Sequence, residues 1–537
     1  MATTTSAEQV VEAEQGPAAE GVPAVGRYRV LVTSTLAFTL MFAVWLQFGI
    51  LGLPIKKEFG LSDTAFYWLT ALPVLNGAIW RMGTGVLADR WGGRIVMTAM
   101  LLLAAIPTFL LSGVHDAGAL FVLAFLIGFA GNSFSSGIAW NSAWFPRSQQ
   151  GFALGVFGAG NVGASVTKLI GPAIIAGTAG ATYFGLISGG WRLIPVIYAV
   201  ALIVMAVVLW LVAPRHDRRP GQSVPVRVML LPLKHLRVWR FSLYYVAVFG
   251  AYVALSSALP KYFETNYGVE LWQAGLLTAL FIFPASLLRP LGGWMSDKVG
   301  ARRIMYWTFG LMLVTSGVLM MPSGFITVDV ATSKAADGTA EILPWHLGIG
   351  WFTFFVVLLG CSMGIGKAAV YKHIPEYFPH DVGAVGGLVG SIGALGGFFL
   401  LPIFGYAVAF TGLPTALFGV LFLLTLVCAV WMHLTVVHML HQSSPELADE
   451  YGNPHILRVV THHTDEGALV YATECPVGTR LWLTVRDEEL IFADMDRMLA
   501  AMRVRFPGAT PVAVFQADCL ARGRRLFDVV MKEELVH

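Results

Sequence analysis

The sequence predicts an all-α membrane protein of two six-helix halves, followed by a small soluble α+β module. Three observations carry that prediction. Of the 537 residues, 56% are hydrophobic and only 12% charged, whereas a soluble domain carries roughly 25% charged residues. Apolar runs recur along the chain, each long enough to cross a hydrocarbon core of roughly 30 Å. The stretch that closes the second run also recurs, with the same spacing, at the end of the eighth.

Twelve spans are expected, at about 29–52, 66–88, 95–114, 118–145, 151–177, 192–213, 241–260, 272–295, 304–323, 347–375, 383–409 and 413–437, as read from their apolar character and length. In lipid each backbone polar group needs an internal partner, so these runs are expected to be helices. Residues 27–214 and 241–440 form the two halves and 215–240 a linker. Residues 1–26 hold Glu8, Glu12, Glu14 and Glu20, with no basic region ahead of an apolar core. They are expected to form a solvated tail and not a signal peptide.

Basic residues in loops set orientation. Arg90 and Arg94, then Lys298, Arg302 and Arg303, and the central Arg215, Arg218, Arg219, Arg227, Lys234, Arg237 and Arg240 share one side. That side is expected to be cytoplasmic, with both termini on it. Lys56 and Lys57 are a small exception. The net charge of +3 gives no argument for nucleic acid. Cys361, Cys428, Cys475 and Cys519 lack paired metal spacing and are expected as free thiols. No nucleophile–base pair or metal cluster stands out, so neither an enzyme, a metal site nor a cofactor is expected.

The repeat is specific. The first copy has Arg81, Gly85, Asp89, Arg90, Gly92 and Arg94; the second has Arg289, Gly293, Asp297, Lys298, Gly300 and Arg302. One offset of 208 (289 − 81, 297 − 89, 302 − 94) relates them. This pattern resembles the loop motif of the major facilitator superfamily. Over residues 27–440 the resemblance implies a twelve-helix major facilitator fold, a central cavity and alternating access. The motif itself reads as structural: glycines permit close helix approach, Asp and Arg pair at the surface, and the loop gates the cytoplasmic side.

Arg81 lies eight residues before Asp89, about 12 Å into the membrane at 1.5 Å per residue. Arg289 reaches the same depth by the repeat, and pseudo-symmetry places the pair across the cavity. A charge at mid-helix costs about 2.5–3.5 kcal/mol. Every acid between residues 27 and 440 is expected in a loop or near a helix end, so no carboxylate offsets that cost. Two like charges facing one cavity then form an anion trap. Guanidiniums also present paired donors that suit planar oxyanions. The alternative is that each arginine snorkels to the interface or caps backbone carbonyls.

Spans 5 and 11 are glycine-rich. Gly151, Gly155 and Gly158 align with Gly383, Gly387 and Gly390 at an offset of 232 (387 − 155). Such faces allow close helix packing or bring backbone near a ligand. Asn132-Ser-Phe134 leads through Trp144-Phe145-Pro146 to Gly158-Ala-Gly160-Asn161-Val-Gly163. This resembles the signature of the nitrate/nitrite porter family, the NarK-type transporters, and the run from Gly390 to Gly397 resembles its second copy. Tyr245-Val-Ala-Val-Phe249-Gly250 is similar to that family's span 7. The resemblance implies that Arg81 and Arg289 grip the anion and that Asn161 and Tyr245 hydrogen-bond it. Phe134 and Phe249 would wall the pocket, with Gly158, Gly160 and Gly393 in the lining. It implies nitrate and nitrite as substrates, carried across a bacterial inner membrane by a monomeric unit. Nitrate/nitrite exchange or nitrate uptake is expected. Proton-coupled symport stays open, since Lys168, Lys367 and Lys372 lie in spans 5 and 10, although each is expected to snorkel.

Residues 441–537 change in composition and read as strands with one amphipathic helix. Val477 to Asp487 and Asp518 to Arg524 resemble the C-terminal part of FIST sensory domains. That leaves a third possibility, a transceptor signalling through the module.

Overall fold

The computed structural model describes residues 24–183, 185, 187–219, 229–322, 324–329, 339–345, 347–378, 382–441, 460–463 and 469–471. The tail over 1–26, except its last three residues, and most of the module over 441–537 lie outside the described residues. So do Cys475, Cys519, Arg227 and Lys334.

Eighteen α-helices are described, and six of the twelve spans are built from two. Span 1 is α1 (Ala24–Trp45) and α2 (Phe48–Phe59); span 2 is α3 (Asp63–Ile79) and α4 (Arg81–Trp91); span 3 is α5 (Gly93–Leu111). Span 4 joins α6 (Ala117–Ile127) to α7 (Ser133–Trp144), and span 5 joins α8 (Arg147–Ala159) to α9 (Gly163–Gly177). Span 6 is α10 (Leu193–Val212). Span 7 runs through α11 (Leu236–Tyr245) and α12 (Ala251–Tyr267), and span 8 through α13 (Leu271–Leu287) and α14 (Arg289–Val299). The last four are single: α15 (Ala301–Leu319), α16 (Ile349–Tyr377), α17 (Val382–Thr411) and α18 (Ala416–His441). An antiparallel hairpin, Gly324–Asp329 with Thr339–Trp345, joins spans 9 and 10.

Among the described residues, ten of these rods are long and apolar enough to cross a membrane. The other two have visible reasons for falling short. Span 2 carries Asn76, Arg81 and Thr84 along its middle, and α15 carries Arg302 and Arg303 in its first turn. Span 7 starts at Leu236, inside the segment expected to be linker. An apolar run understates a helix whose first turn is basic.

Helix starts follow ordinary capping chemistry. Ser62 accepts from the Ala65 amide at 3.1 Å and Asp116 from Ala119 at 2.7 Å. Glu270 and Gln273 close a capping box. The repeated loop turns on Gly92 (φ 91°) and Gly300 (φ 95°), positions where a side chain would strain the backbone.

The halves meet tightly on the face away from that loop motif. Lys57 pairs with Glu264 at 2.7 Å and Lys261 with Asp63 at 2.8 Å, with Lys56 also on Asp63. A Cβ on Gly49 would sit 2.8 Å from Ser257 Cα, and one on Gly405 2.7 Å from the Tyr67 ring. Lys57, odd in a charge-bias reading, is thus half of an ion pair between the two bundles, and Lys56 shares Asp63 with Lys261 of the other bundle. Burial raises the Asp63 carboxyl, but hydrogen bonds from Lys261 and Lys56 outweigh it and hold the group below the usual carboxylate range. A depressed acid keeps its stabilising charge above its unfolded pKa and loses it only as pH falls through the lower folded value. The tie therefore persists at neutral pH. Across the arginine level the halves are looser: a Cβ on Gly83 would meet nothing within 4 Å, and one on Gly387 first meets Met82 at 4.0 Å. The double variant Asp63→Asn, Glu264→Gln is expected to loosen the tied face. A cysteine placed at the buried Leu53 should then react faster with a water-soluble maleimide than in the parent, above the native-cysteine background. Equal labelling would show that the ion pairs do not hold this face shut.

Candidate substrate site

Five breaks in helix regularity gather the chemistry-bearing residues. Arg81 opens α4 directly after Trp80 (φ −87°, ψ 1°). Arg289 opens α14 after Leu288 (φ −80°, ψ 0°), the same break 208 positions on. A 3₁₀ turn, Gly128–Asn132, stands just before Phe134, and another, Gly160–Val162, contains Asn161. A π-helical turn, Val246–Gly250, follows Tyr245 and contains Phe249. Such turns inside helices often mark functional sites. In lipid they persist only where protein covers the freed backbone groups.

Arg81 is 1% exposed. Its Nε donates to the Gly77 carbonyl at 3.1 Å, Nη1 to Gly390 at 3.2 Å and Nη2 to Gly131 at 3.3 Å. Glycine at 77 and 131 leaves a notch filled by the Trp45 indole, where a Cβ on either would meet Trp45 Nε1 at 2.6 Å. Trp45 is fixed by a 2.8 Å bond to the Pro73 carbonyl. Arg81 then lies over the rings of Trp45, Phe134 and Phe249 at 5.5–5.7 Å. Arg289, 7% exposed, lies over Phe134 at 5.3 Å and Tyr371 at 5.6 Å. Both guanidiniums thus share the Phe134 ring, which itself packs on Phe38 and Phe157.

The two arginines are not equally satisfied. Three charge-assisted bonds of about 1.5–3 kcal/mol each more than offset the insertion cost of Arg81. Arg289 has rings, worth about 0.5–2 kcal/mol each, and its Nη1 is buried without a hydrogen-bond partner. Both polar atoms of the wholly buried Asn161 side chain are also without partners, while its backbone carbonyl accepts from Tyr252 at 3.2 Å. Tyr245 Oη is buried without a well-formed bond beside Tyr371. Native interiors satisfy almost all such groups, and the unused donors among them suit a ligand that accepts hydrogen bonds. The acids of the membrane half whose side chains are described, Glu58, Asp63, Asp89, Asp116, Asp217, Glu264, Glu270 and Asp297, sit in loops or at helix ends. None is positioned to neutralise the pair.

Of the residues expected from sequence, the structure brings together Arg81, Arg289, Phe134, Phe249 and Tyr245, whose ring stacks on Phe249 at 5.0 Å. Gly158 faces Arg289, and a Cβ there would stand 3.1 Å from Nη1. Gly393 packs against the Tyr245 ring. Gly160 instead packs on Phe38 and Thr39 of α1, so its side of the turn looks away from the guanidiniums. Arg81 does cap carbonyls, as the alternative reading held, but neither arginine snorkels. Lys168 and Lys367, expected to snorkel, are corrected: both are fully buried, bonded to the carbonyls of Leu46 and Ala285 at 2.9 Å. Only Lys372 reaches a surface, pairing with Asp297. Sequence reasoning missed Trp45, Tyr371 and Lys367 as neighbours of the site.

The loop motif is organised differently from the simple Asp–Arg pairing expected. The Arg94 amide donates to Asp217 at 2.8 Å, and Asp217 also accepts from Trp140 and Trp144 at 2.9 Å. Arg94 stacks over Trp210 at 4.1 Å, and Arg302 donates to the Tyr377 hydroxyl at 2.7 Å. The lone acid of the central linker is thus the anchor of the first copy.

The Major Facilitator Superfamily description matches residues 33–352. The chain belongs to that superfamily. Within it the chain is a NarK-type member: it is 62% identical over 426 residues to the "Probable nitrate/nitrite antiporter NarK1" of Thermus thermophilus, covering 79% of this chain and 95% of the relative. It is 30% identical over 412 residues to the "Nitrite extrusion protein" of Bacillus subtilis, covering 75% and 94%. A FIST C domain matches residues 428–536. Among solved structures, a bacterial homolog of the human lysosomal transporter Spinster, inward-facing and occupied, aligns with a TM-score of 0.58 at 17% identity, covering 79% of this chain and all of that one. A D-xylose–proton symporter aligns at 0.56 and 14%, covering 75% and 97%. Those two likenesses concern the fold of this multi-pass superfamily member. Because Gly158 leaves Arg289 its place, Gly158→Val is expected to displace the guanidinium. Anion flux in proteoliposomes should fall at least tenfold with little loss of folded protein by size-exclusion chromatography, and unchanged flux would contradict this geometry.

Proposed function

We propose that this chain is a nitrate/nitrite transporter that works by alternating access, exchanging nitrate for nitrite or taking nitrate up. The observation that carries the reading is the pair Arg81 and Arg289 on one aromatic ring, with no carboxylate among the described residues around them; the unpartnered Asn161 amide stands three residues beyond Gly158, which faces Arg289. A small planar anion accepts from both guanidiniums and from neutral donors at once, and aromatic walls exclude the water that would screen the contacts. The nitrate/nitrite transport named for the NarK-type relatives agrees with this chemistry. Exchange fits the charge balance: an empty, doubly positive site resists closing, while either anion permits it. The groups serve binding and not reaction chemistry, so the chain is a carrier and not an enzyme.

In this reading the loop motif and both termini face the cytoplasm of a bacterial inner membrane. The unit of transport is the monomer, and the ion-paired face is the periplasmic gate. The FIST C match favours a second reading, in which the membrane half also reports anion to its C-terminal module.

Arg81→Ala and Arg289→Ala should each lower nitrate/nitrite exchange in proteoliposomes by about 10–100-fold, the loss of a charge-assisted contact of about 1.5–3 kcal/mol. Normal exchange in both variants would remove the site. Carboxylate competing as well as nitrate would redirect the reading to organic anions.

A further inference from the structure

We propose that the ion-paired face holds a second anion site, where Lys56, Lys57 and Lys261 dock a small monovalent anion before it passes inward to Arg81 and Arg289. The inference rests on the anion-transport reading and adds an entry station to it.

A cavity of about 330 Å³ opens on this face, lined by Leu53, Lys56, Lys57, Gly60, Lys261 and Glu264. Helix α2 carries Lys56 and Lys57 in its last turn and stops at Gly60, whose left-handed conformation (φ 61°) turns the chain away. A Cβ on Gly60 would meet nothing within 4 Å, so this wall of the cavity is open. Helix α3 supplies Asp63 from the same half, and α12 brings Lys261 and Glu264 from the other. The end of α2 is firmly held. Glu58 accepts from the Trp191 indole at 2.6 Å and pairs with Arg192, which also donates to the Ser112 and Val114 carbonyls. The two lysines of α2 therefore stand on a fixed support. They also lie on the span that serves the arginine site: Lys56 follows Trp45, the ring beneath Arg81, by 11 residues (56 − 45). That is roughly 16 Å outward at 1.5 Å per residue.

The cluster is short of one negative charge. Lys56, Lys57 and Lys261 meet two carboxylates, Asp63 and Glu264 (3 − 2 = 1). Lys56 and Lys261 share a single oxygen, Oδ1 of Asp63. Glu58 does not make up the difference, because it is committed to Arg192. Lys261 is the innermost cation, its side chain 9% exposed, with Nζ 4.8 Å from the centre of the Tyr67 ring and 5.5 Å from that of Phe66. Lys57 stands at the mouth, its side chain 73% exposed. An ammonium has three N–H donors, so each lysine keeps donors beyond the one aimed at its carboxylate. A small oxyanion supplies the missing charge and accepts from those donors. A cleft with an excess of one sign of charge also raises the local concentration of the opposite ion and speeds its arrival. The two acids keep the dock weak: three unpaired lysines would hold an anion that has to move on.

Right-side-out membrane vesicles loaded with nitrite and given external nitrate test this. Removing Lys57 and removing Glu264 break the same ion pair, yet they change the charge facing an anion in opposite directions. Lys57→Gln should raise the KM for external nitrate about two- to fivefold, the effect of losing one exposed charge contact. Glu264→Gln should lower it by a similar factor, and the double variant should return close to wild type. Lys57→Gln should also flatten the rise of KM with ionic strength shown by wild type. Both side chains reach solvent, so neither single variant threatens folding, and Lys57→Arg should restore the wild-type KM. A pair that only ties the halves together moves KM in the same direction in both single variants. That result, or an unchanged KM in both, overturns the proposal and leaves the transport reading intact. Wild-type vesicles that exchange no nitrate for nitrite overturn that reading itself.

Discussion

Two guanidiniums near the middle of an apolar bundle, with no carboxylate beside them, set the terms for the rest of this structure. Each costs about 2.5–3.5 kcal/mol to place there, and the fold meets that cost by different means. Arg81 is held by three backbone carbonyls, from Gly77 and Gly131 in its own half and from Gly390 in the other. Arg289 rests on aromatic faces with an unused Nη1. The first is a fixed post and the second an unsatisfied one. In the proposed site a bound anion would change the energy of Arg289 more than that of Arg81, and occupancy would act chiefly on the C-terminal half.

The helix irregularities follow from the same constraint. Carbonyls are free to accept from Arg81 only where a helix is interrupted or packed through glycine. The 3₁₀ turn at Gly128–Asn132 exposes the Gly131 carbonyl, and the glycine face of α17 brings Gly390 within reach. That face also seats the π turn of span 7: Gly393 meets Tyr245, Gly396 meets Val246 and Gly397 meets Val253. A side chain on any of these glycines would push the turn, and with it Phe249, off Arg81. The glycines are therefore close-approach positions, and their value is the distance they allow between backbone and aromatic ring.

What sequence made legible was local or repeated. A charge inside an apolar run is visible in the run itself, and the 208-residue offset made Arg81 and Arg289 a pair before any coordinates. The break at Trp80 was not visible, because neither proline nor glycine stands there, whereas Pro290, at the second position of α14, was a signal for the one at Leu288 that the apolar run obscured. Trp45 and Tyr371 were missed because their role depends on contacts with residues far along the chain. Lys168 and Lys367 were misread for the same reason. A long basic side chain in a membrane span normally snorkels, and only tertiary packing shows that these two turn inward to Leu46 and Ala285. Lys57 was an anomaly until Glu264, 207 residues away, supplied its partner.

The tied face and the arginine level together explain how a small anion can control a large bundle. On one side, ion pairs and backbone-close glycines clamp the halves together. On the other, the halves touch through Arg81 and Gly390 but leave room at Gly83 and Gly387. The bond from Arg81 to Gly390 already crosses between halves at the level of the site. An anion there adds contacts at the pivot, where both arrangements of the halves can share them. It therefore relieves the repulsion that opposes closure without favouring either end, which is what a carrier that must load and unload the same ligand needs.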